Sequence, residues 1–271
     1  MGKLSWISDR RTPSRRGAHG WIFPAVRGRR RTASRRASAR VRLESLESRR
    51  MLAVFTVDTT SDVPVVDKLT FREAITLAND TAGADQITFN LPTSAPALIA
   101  VKSALPDITD EVLIDGASQP SFGFVSLDGS AAGSVDGLVV QQLGSATVLV
   151  GLRVGGFANG IHLVSADGVT VTDCMLGSVG GGAANTASGI LVDGGSDAHL
   201  ERISAGGNAG SGVRVVGADG TQIVDSSLGS AAAPNTLYGL RVEGSTGTSV
   251  TVSGVGKSTS VSGNATGGIL A

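Results

Sequence analysis

A single cysteine, Cys174, occurs in 271 residues. No disulfide can close within the chain, and the cysteine count says little about compartment. Aromatic residues make up 4% of the sequence while hydrophobic residues make up 41%. Any core must therefore be aliphatic. No apolar run approaches the ~18 residues needed to span a bilayer. The Gly-Gly-x-Gly-x-Asp calcium repeat is absent, and the Gly-rich stretches do not sit between a strand and a helix, which excludes a phosphate loop.

Net charge is also lacking, but the zero hides a split. Residues 1–52 carry 15 Lys/Arg against three acids, a net of +12, and residues 53–271 carry 8 against 20, a net of −12. The first 53 residues have neither helical nor strand period and read as a disordered basic arm. Arg29-Arg30-Arg31 is the kind of run that meets phosphate. No nucleic-acid module follows it and the remainder is acidic, so a nucleic-acid partner is not expected. A secretory signal needs an apolar stretch of about 7–15 residues. Trp21-Ile22-Phe23-Pro24-Ala25-Val26 is shorter and is broken by Pro24.

What is present is a phrase that recurs from Gly160 onward: Gly160-Ile161-His162-Leu163, Gly189-Ile190-Leu191-Val192, Gly212-Val213-Arg214-Val215 and Gly239-Leu240-Arg241-Val242. A partial copy begins at Gly268. Eleven residues after each complete Gly comes an apolar residue: Val171, Leu200, Ile223, Val250. Four residues before each Gly from 189 on comes an Asn: Asn185, Asn208, Asn235, Asn264. Unit lengths of 23 to 29 residues mean a solenoid. Short alternating runs between Gly, Asn, Asp and Ser mean strands and turns. The expected fold is all-β, a right-handed parallel β-helix, handed by the crossover rule. The Asn column is expected to form an amide ladder, because Asn tolerates left-handed turns and stacked amides hydrogen-bond between turns.

The period assigns each side chain. Ile161, Ile190, Val213, Leu240, Leu163, Val192, Val215 and Val242 should point inward. His162, Leu191, Arg214 and Arg241 should form one outward column. Asp173, Arg202 and Asp225 fall at one bend and read as a charge ladder worth roughly 0–1 kcal/mol per exposed pair. Length variation collects at one corner, in loops 177–188, 229–238 and 254–267, whose charged and aromatic members are Lys257 and Tyr238. Three segments follow: 1–53, the arm; 54–135, a cap and irregular first turns; 136–271, regular turns. The chain stops one strand into a new turn, which reads as a fragment of a longer protein with an open C-terminal end.

Two stretches resemble known families. Leu46-Glu47-Ser48-Arg49-Arg50-Met51-Leu52 resembles the Leu-Glu-Pro-Arg-x-Leu-Leu motif near the N-terminus of many large planctomycete proteins. Leu46, Glu47, Arg49 and Leu52 carry the match; Ser48 and Met51 depart from it. The resemblance implies an exported or cell-surface protein with a sorting or processing signal. The residue-level alternative is a short amphipathic helix from Val41 to Leu52. Further on, Phe71-Arg72-Glu73-Ala74-Ile75 lies in an amphipathic helix, expected over Leu69–Asn79, with Phe71, Ile75 and Ala78 on one face. It resembles the Cys-Ser-Leu-Arg-Glu-Ala-Ile segment that opens many secreted bacterial β-helix proteins, and the likeness extends over residues 54–130. It implies an extracellular β-helix whose first turn is covered by a helix, as end caps cover other repeat proteins.

Function is less legible. Enzymes of the pectate-lyase type share this architecture, so a polysaccharide lyase or glycoside hydrolase is the alternative to a structural or adhesive surface protein, whose expected partners are cell-surface polysaccharide or other surface proteins. A lyase needs clustered carboxylates for Ca²⁺ and a basic residue. Asp193 and Asp197 are the best available pair for a weak Ca²⁺ site, and no other cofactor is expected. Arg214 and Arg241, one turn apart, could hold an anion. His162, Tyr238 and Lys257 complete the binding candidates, with no acid on the outward column that His162 shares. If Leu200 lies inside, Leu200→Asp should unfold several neighbouring turns. A far-UV spectrum and melting curve unchanged by that substitution would show the register to be wrong.

Overall fold

The computed structural model describes residues 52–92, 96–178, 181–245, 249–251 (backbone) and 259–271. Three all-parallel sheets of eight, seven and six strands wind around one core. The eight-stranded sheet starts with Val54–Val57 and runs through Asp85–Phe89, Val112–Asp115, Val148–Val150, Thr170–Thr172, His199–Glu201 and Gln222–Val224 to Ser249–Thr251. The seven-stranded sheet runs from Leu98–Ala100 to Ser260–Val261. The six-stranded sheet runs from Leu138–Val140 to Gly267–Leu270. From Val112–Asp115 onward each turn of chain gives one strand to each sheet, which is the solenoid that the recurring phrase requires. At about 4.8 Å per strand, the eight-stranded sheet is roughly 34 Å long.

The repeat holds in register. Ile161, Ile190, Val213 and Leu240 pair in sequence across neighbouring strands, and so do His162, Leu191, Arg214 and Arg241. The first set is buried, as are Leu163, Val192 and Val215, while Val242 is half-buried near the end. Val171, Leu200 and Ile223 pair in the eight-stranded sheet and are fully buried. Cys174 is part of this core, and burial pushes its thiol pKa up to about 12. A thiol so held is not nucleophilic.

The helix spans Phe71–Asp80. Thr70 caps it: its hydroxyl accepts from Glu73 N while the Glu73 carboxylate accepts from Thr70 N, a reciprocal capping box. Phe71, Ala74, Ile75 and Ala78 are buried, and the helix packs on the strands Val54–Val57 and Asp85–Phe89. Its other face is not left to solvent alone. Arg72 forms an ion pair with Asp62 at 3.0 Å and donates to the carbonyls of Ser103 and Ala104. The Asp62 carboxylate also accepts from Lys102 N. A buried acid thus ties the cap to the chain entering the next turn.

The Asn column is a continuous ladder, buried at its first three members. Asn185 donates to Asn208 at 3.0 Å, Asn208 to Asn235 at 2.8 Å, and Asn235 to Asn264 at 2.9 Å. The same side-chain nitrogens donate to the carbonyls of Val154, Leu176, Ala205 and Leu228, one turn back. The recurring Gly is part of this device. A Cβ at Gly160, Gly189, Gly212 or Gly239 would lie between 2.7 and 3.1 Å from the Nδ2 of the Asn of the following turn. These glycines serve close packing rather than left-handed geometry. In the turn that lacks the Asn, Phe157 stands beside Gly137 instead, and its N–H donates to Asn185 Oδ1. The ladder thus abuts a buried aromatic.

The charge column sits on a strained bend. Asp173, Arg202 and Asp225 have φ of 54°, 50° and 49°, the left-handed region that Asp tolerates and Arg rarely enters. Arg202 is held there by two 2.8 Å bonds to Asp173 and by a contact with Glu201. Tyr238, expected in a loop, opens the strand Tyr238–Glu243 instead. It pairs with Gly267, whose missing side chain leaves room for the ring. Pairing with the next turn draws it into the sheet.

Each amide of the ladder meets several partners, so removing one leaves buried groups unsatisfied at about 1–3 kcal/mol each. Asn208→Ala is expected to cost about 3 kcal/mol or more by urea unfolding. Asn264→Ala, at the half-exposed last position, should cost clearly less. Equal and small losses would mean that the ladder does not stabilise the turns.

Candidate functional site

Two outward faces carry chemistry. The first is the six-stranded sheet, where the column His162, Leu191, Arg214, Arg241 stands. No acid stands in that column, but two acids from beside it reach His162. His162 Nδ1 lies 2.7 Å from Asp136 Oδ2, and its Nε2 lies 3.9 Å from Asp193 Oδ2. Asp136 precedes the strand Leu138–Val140, one turn back, and Asp193 ends the strand Ile190–Asp193, one turn on. Both neighbours come from other turns, so only the strand register brings them to the imidazole. Asp136 Oδ1 accepts from the backbone N–H and the side chain of Asn159, each at 2.9 Å. Partial burial raises the Asp136 pKa, but the hydrogen bonds from His162 and Asn159 outweigh it and hold the carboxyl below its ordinary value of 3.8. His162 Nε2 is shut off from solvent and has no hydrogen-bond partner.

Arg214 and Arg241 do lie side by side, but they share an acid. Glu243 accepts from Arg214 at 2.7 and 3.0 Å and also meets Arg241. Its pKa is lowered, first by the Arg214 hydrogen bond. An incoming anion would have to compete with that carboxylate. Glu243 was missed from sequence, although it stands two residues beyond Arg241 on the same face of one strand, a signal that period-2 alternation could have used. Lys257 lies outside the described residues, as do Leu46, Glu47 and Arg49; Leu52 is described and exposed. Asp193 faces His162, and Asp197 sits in a left-handed turn at φ 56° beside Gly220. Among the described residues no three His, Cys, Asp or Glu side chains gather to hold a metal ion. Among them, too, no helix is long and apolar enough to cross a membrane.

The second face is the outer side of the seven-stranded sheet, where sequence analysis singled out nothing. Leu98, Ser126 and Arg153 are adjacent across three strands, and Asp128 stands two residues beyond Ser126. They line a cleft of about 320 Å³ with Gly182 and Ala183 on its wall. The wall comes close because Gly155 has no side chain: a Cβ there would lie 2.2 Å from the Ala183 carbonyl oxygen. The Arg153 guanidinium lies 3.5 Å over the Phe124 ring, and Phe124 meets Phe122 edge-on at 6.3 Å. Asp128 Oδ1 accepts from the N–H and hydroxyl of Ser130 at 3.0 and 2.6 Å, which fixes the carboxylate.

Comparison with protein-family models and with curated protein sequences found no match.

The Asp136 geometry sets a pH dependence. A carboxyl whose pKa is lowered by folding contributes stability above its unfolded value and loses it as pH falls through the folded one. Melting temperature should therefore fall as pH drops below about 5, partly through this residue. Asp136→Asn should be less stable at pH 7 by about 1–2 kcal/mol and show a shallower acid decline. Parallel wild-type and variant curves over that range would show that the His162 contact is not formed.

Proposed function

We propose that this chain is a secreted or cell-surface structural module, a stiff β-solenoid that adheres to polysaccharide. The observation that carries this reading is the architecture: successive turns in continuous parallel register, locked by a buried amide ladder. Such a solenoid resists bending because each turn is bonded to the next along three sheets. Its outer faces present successive side chains at a strand spacing of about 4.8 Å, which suits an extended ligand better than a small diffusing one. The basic arm and the Leu46–Leu52 motif support a surface location.

One observation favours a second reading, a polysaccharide lyase or glycoside hydrolase. Asp136, His162 and Asp193 meet on one outer face, and paired acids are what glycoside hydrolysis uses. The closed position of His162 Nε2 weighs against it, since a proton-transfer group must reach its substrate. The decisive experiment has two arms. Antibody against the full chain should label intact cells of the source organism, and protease should remove the label. The purified chain should leave polygalacturonate and alginate uncleaved with and without added Ca²⁺. Intracellular retention would overturn the surface assignment. Turnover that disappears in Asp193→Asn would establish the enzyme.

A further inference from the structure

Beyond the outer-surface adhesion just proposed, on which this step rests, we infer that the cleft on the seven-stranded sheet is the saccharide site, and that it takes a neutral sugar ring. The argument is one of matched chemistry. Arg153 offers donors only, and Asp128 offers acceptors only. They sit on neighbouring strands, Asp128 pairing with Gly155 two residues beyond Arg153. An anion in this cleft meets the Asp128 carboxylate, and a cation meets the Arg153 guanidinium. A ligand with adjacent hydroxyl groups is compatible with both, donating to the Asp128 carboxylate and accepting from the Arg153 guanidinium.

The remaining surface suits the rest of such a ligand. Leu98 is 49% exposed within the cleft, and it can be covered by the C–H face of a sugar ring. Ser126, between Leu98 and Arg153, adds a hydroxyl that donates or accepts. Stacking on Phe124 holds the guanidinium flat before any ligand arrives. This preorganisation lowers the entropic cost of binding. The volume lies at the low end of ligand pockets, which fits a single ring of a longer chain rather than a large cofactor. Further along the same sheet the outward residues become Ser204, Ser227 and Ser260, so the chemistry is confined to the early turns.

The proposal places the sugar away from the Arg214–Arg241 pair, which Glu243 already engages, and that contrast makes the test sharp. The full chain is titrated by saturation-transfer NMR with neutral gluco-, manno- and galacto-oligosaccharides and with oligogalacturonate. A neutral oligosaccharide is expected to bind, and Asp128→Asn and Arg153→Met should each weaken it about tenfold or more. Arg214→Met should leave it unchanged. Ser126→Tyr, which fills the cleft from an outward position, should abolish binding while the melting curve stays in place; it serves as the control if Arg153→Met proves unstable. Neutral-sugar binding that survives all the cleft substitutions overturns this site and leaves the adhesive reading standing. Binding of oligogalacturonate alone overturns the neutral ligand. Absence of binding to every oligosaccharide overturns the site, while surface location is decided separately by the labelling of intact cells.

Discussion

The buried contact between an Asn amide and a bare Gly backbone is the constraint from which most of this structure follows. Asn185, Asn208 and Asn235 are 0–1% exposed, and a buried amide left without partners would cost several kcal/mol. Each therefore needs the amide of the next turn and a carbonyl of the previous one. That double demand fixes the distance between turns. It also leaves no room for a Cβ at the Gly that opens the strand one turn earlier. Asn and Gly thus recur together because they occupy one small volume. Where the pair is first missing, the Phe157 ring occupies the corner and the ladder ends against it.

With turn spacing held at that corner, chain length can vary just before it. The loops there differ by up to six residues, yet the pairing of Ile190 with Val213 and of Val213 with Leu240 is undisturbed. The same corner admits the Gly182–Ala183 wall that turns a flat sheet face into a cleft. The opposite constraint acts at the single-residue bend of Asp173, Arg202 and Asp225, where a left-handed residue permits no insertion. One rigid corner and one elastic corner explain why the surface chemistry is local while the core is periodic.

The inward and outward assignment was legible because strand side chains alternate strictly. The capping helix was legible within two residues at its start, Phe71 rather than Leu69, because Thr70 and Glu73 cap it there. Other features were not legible. Asp136 lies 26 residues before the His162 it binds, and Glu243 lies 29 after Arg214. Such partners face each other only once neighbouring turns have stacked. Tyr238 was misplaced because a residue at the margin of a variable loop joins the sheet only if the next turn pairs with it. The cleft was not legible, since Leu98, Ser126 and Asp128 belong to the early, irregular turns where no repeat phrase points to them, and Arg153 to the turn that lacks the Asn.

By itself the sequence determined the fold class, the period, the facing of the core residues within the repeat and the position of the amide ladder. These depend on local alternation and on a repeat that every turn must satisfy, and both are written along the chain. Only the tertiary structure decided which charges neutralise one another, that Arg214 and Arg241 share Glu243, and that Arg153, Asp128 and Leu98 open onto one cleft. Those relations depend on which outward side chains of different turns come to lie within a few ångströms. That is set by register, loop path and turn geometry together, and no single stretch of the chain contains it.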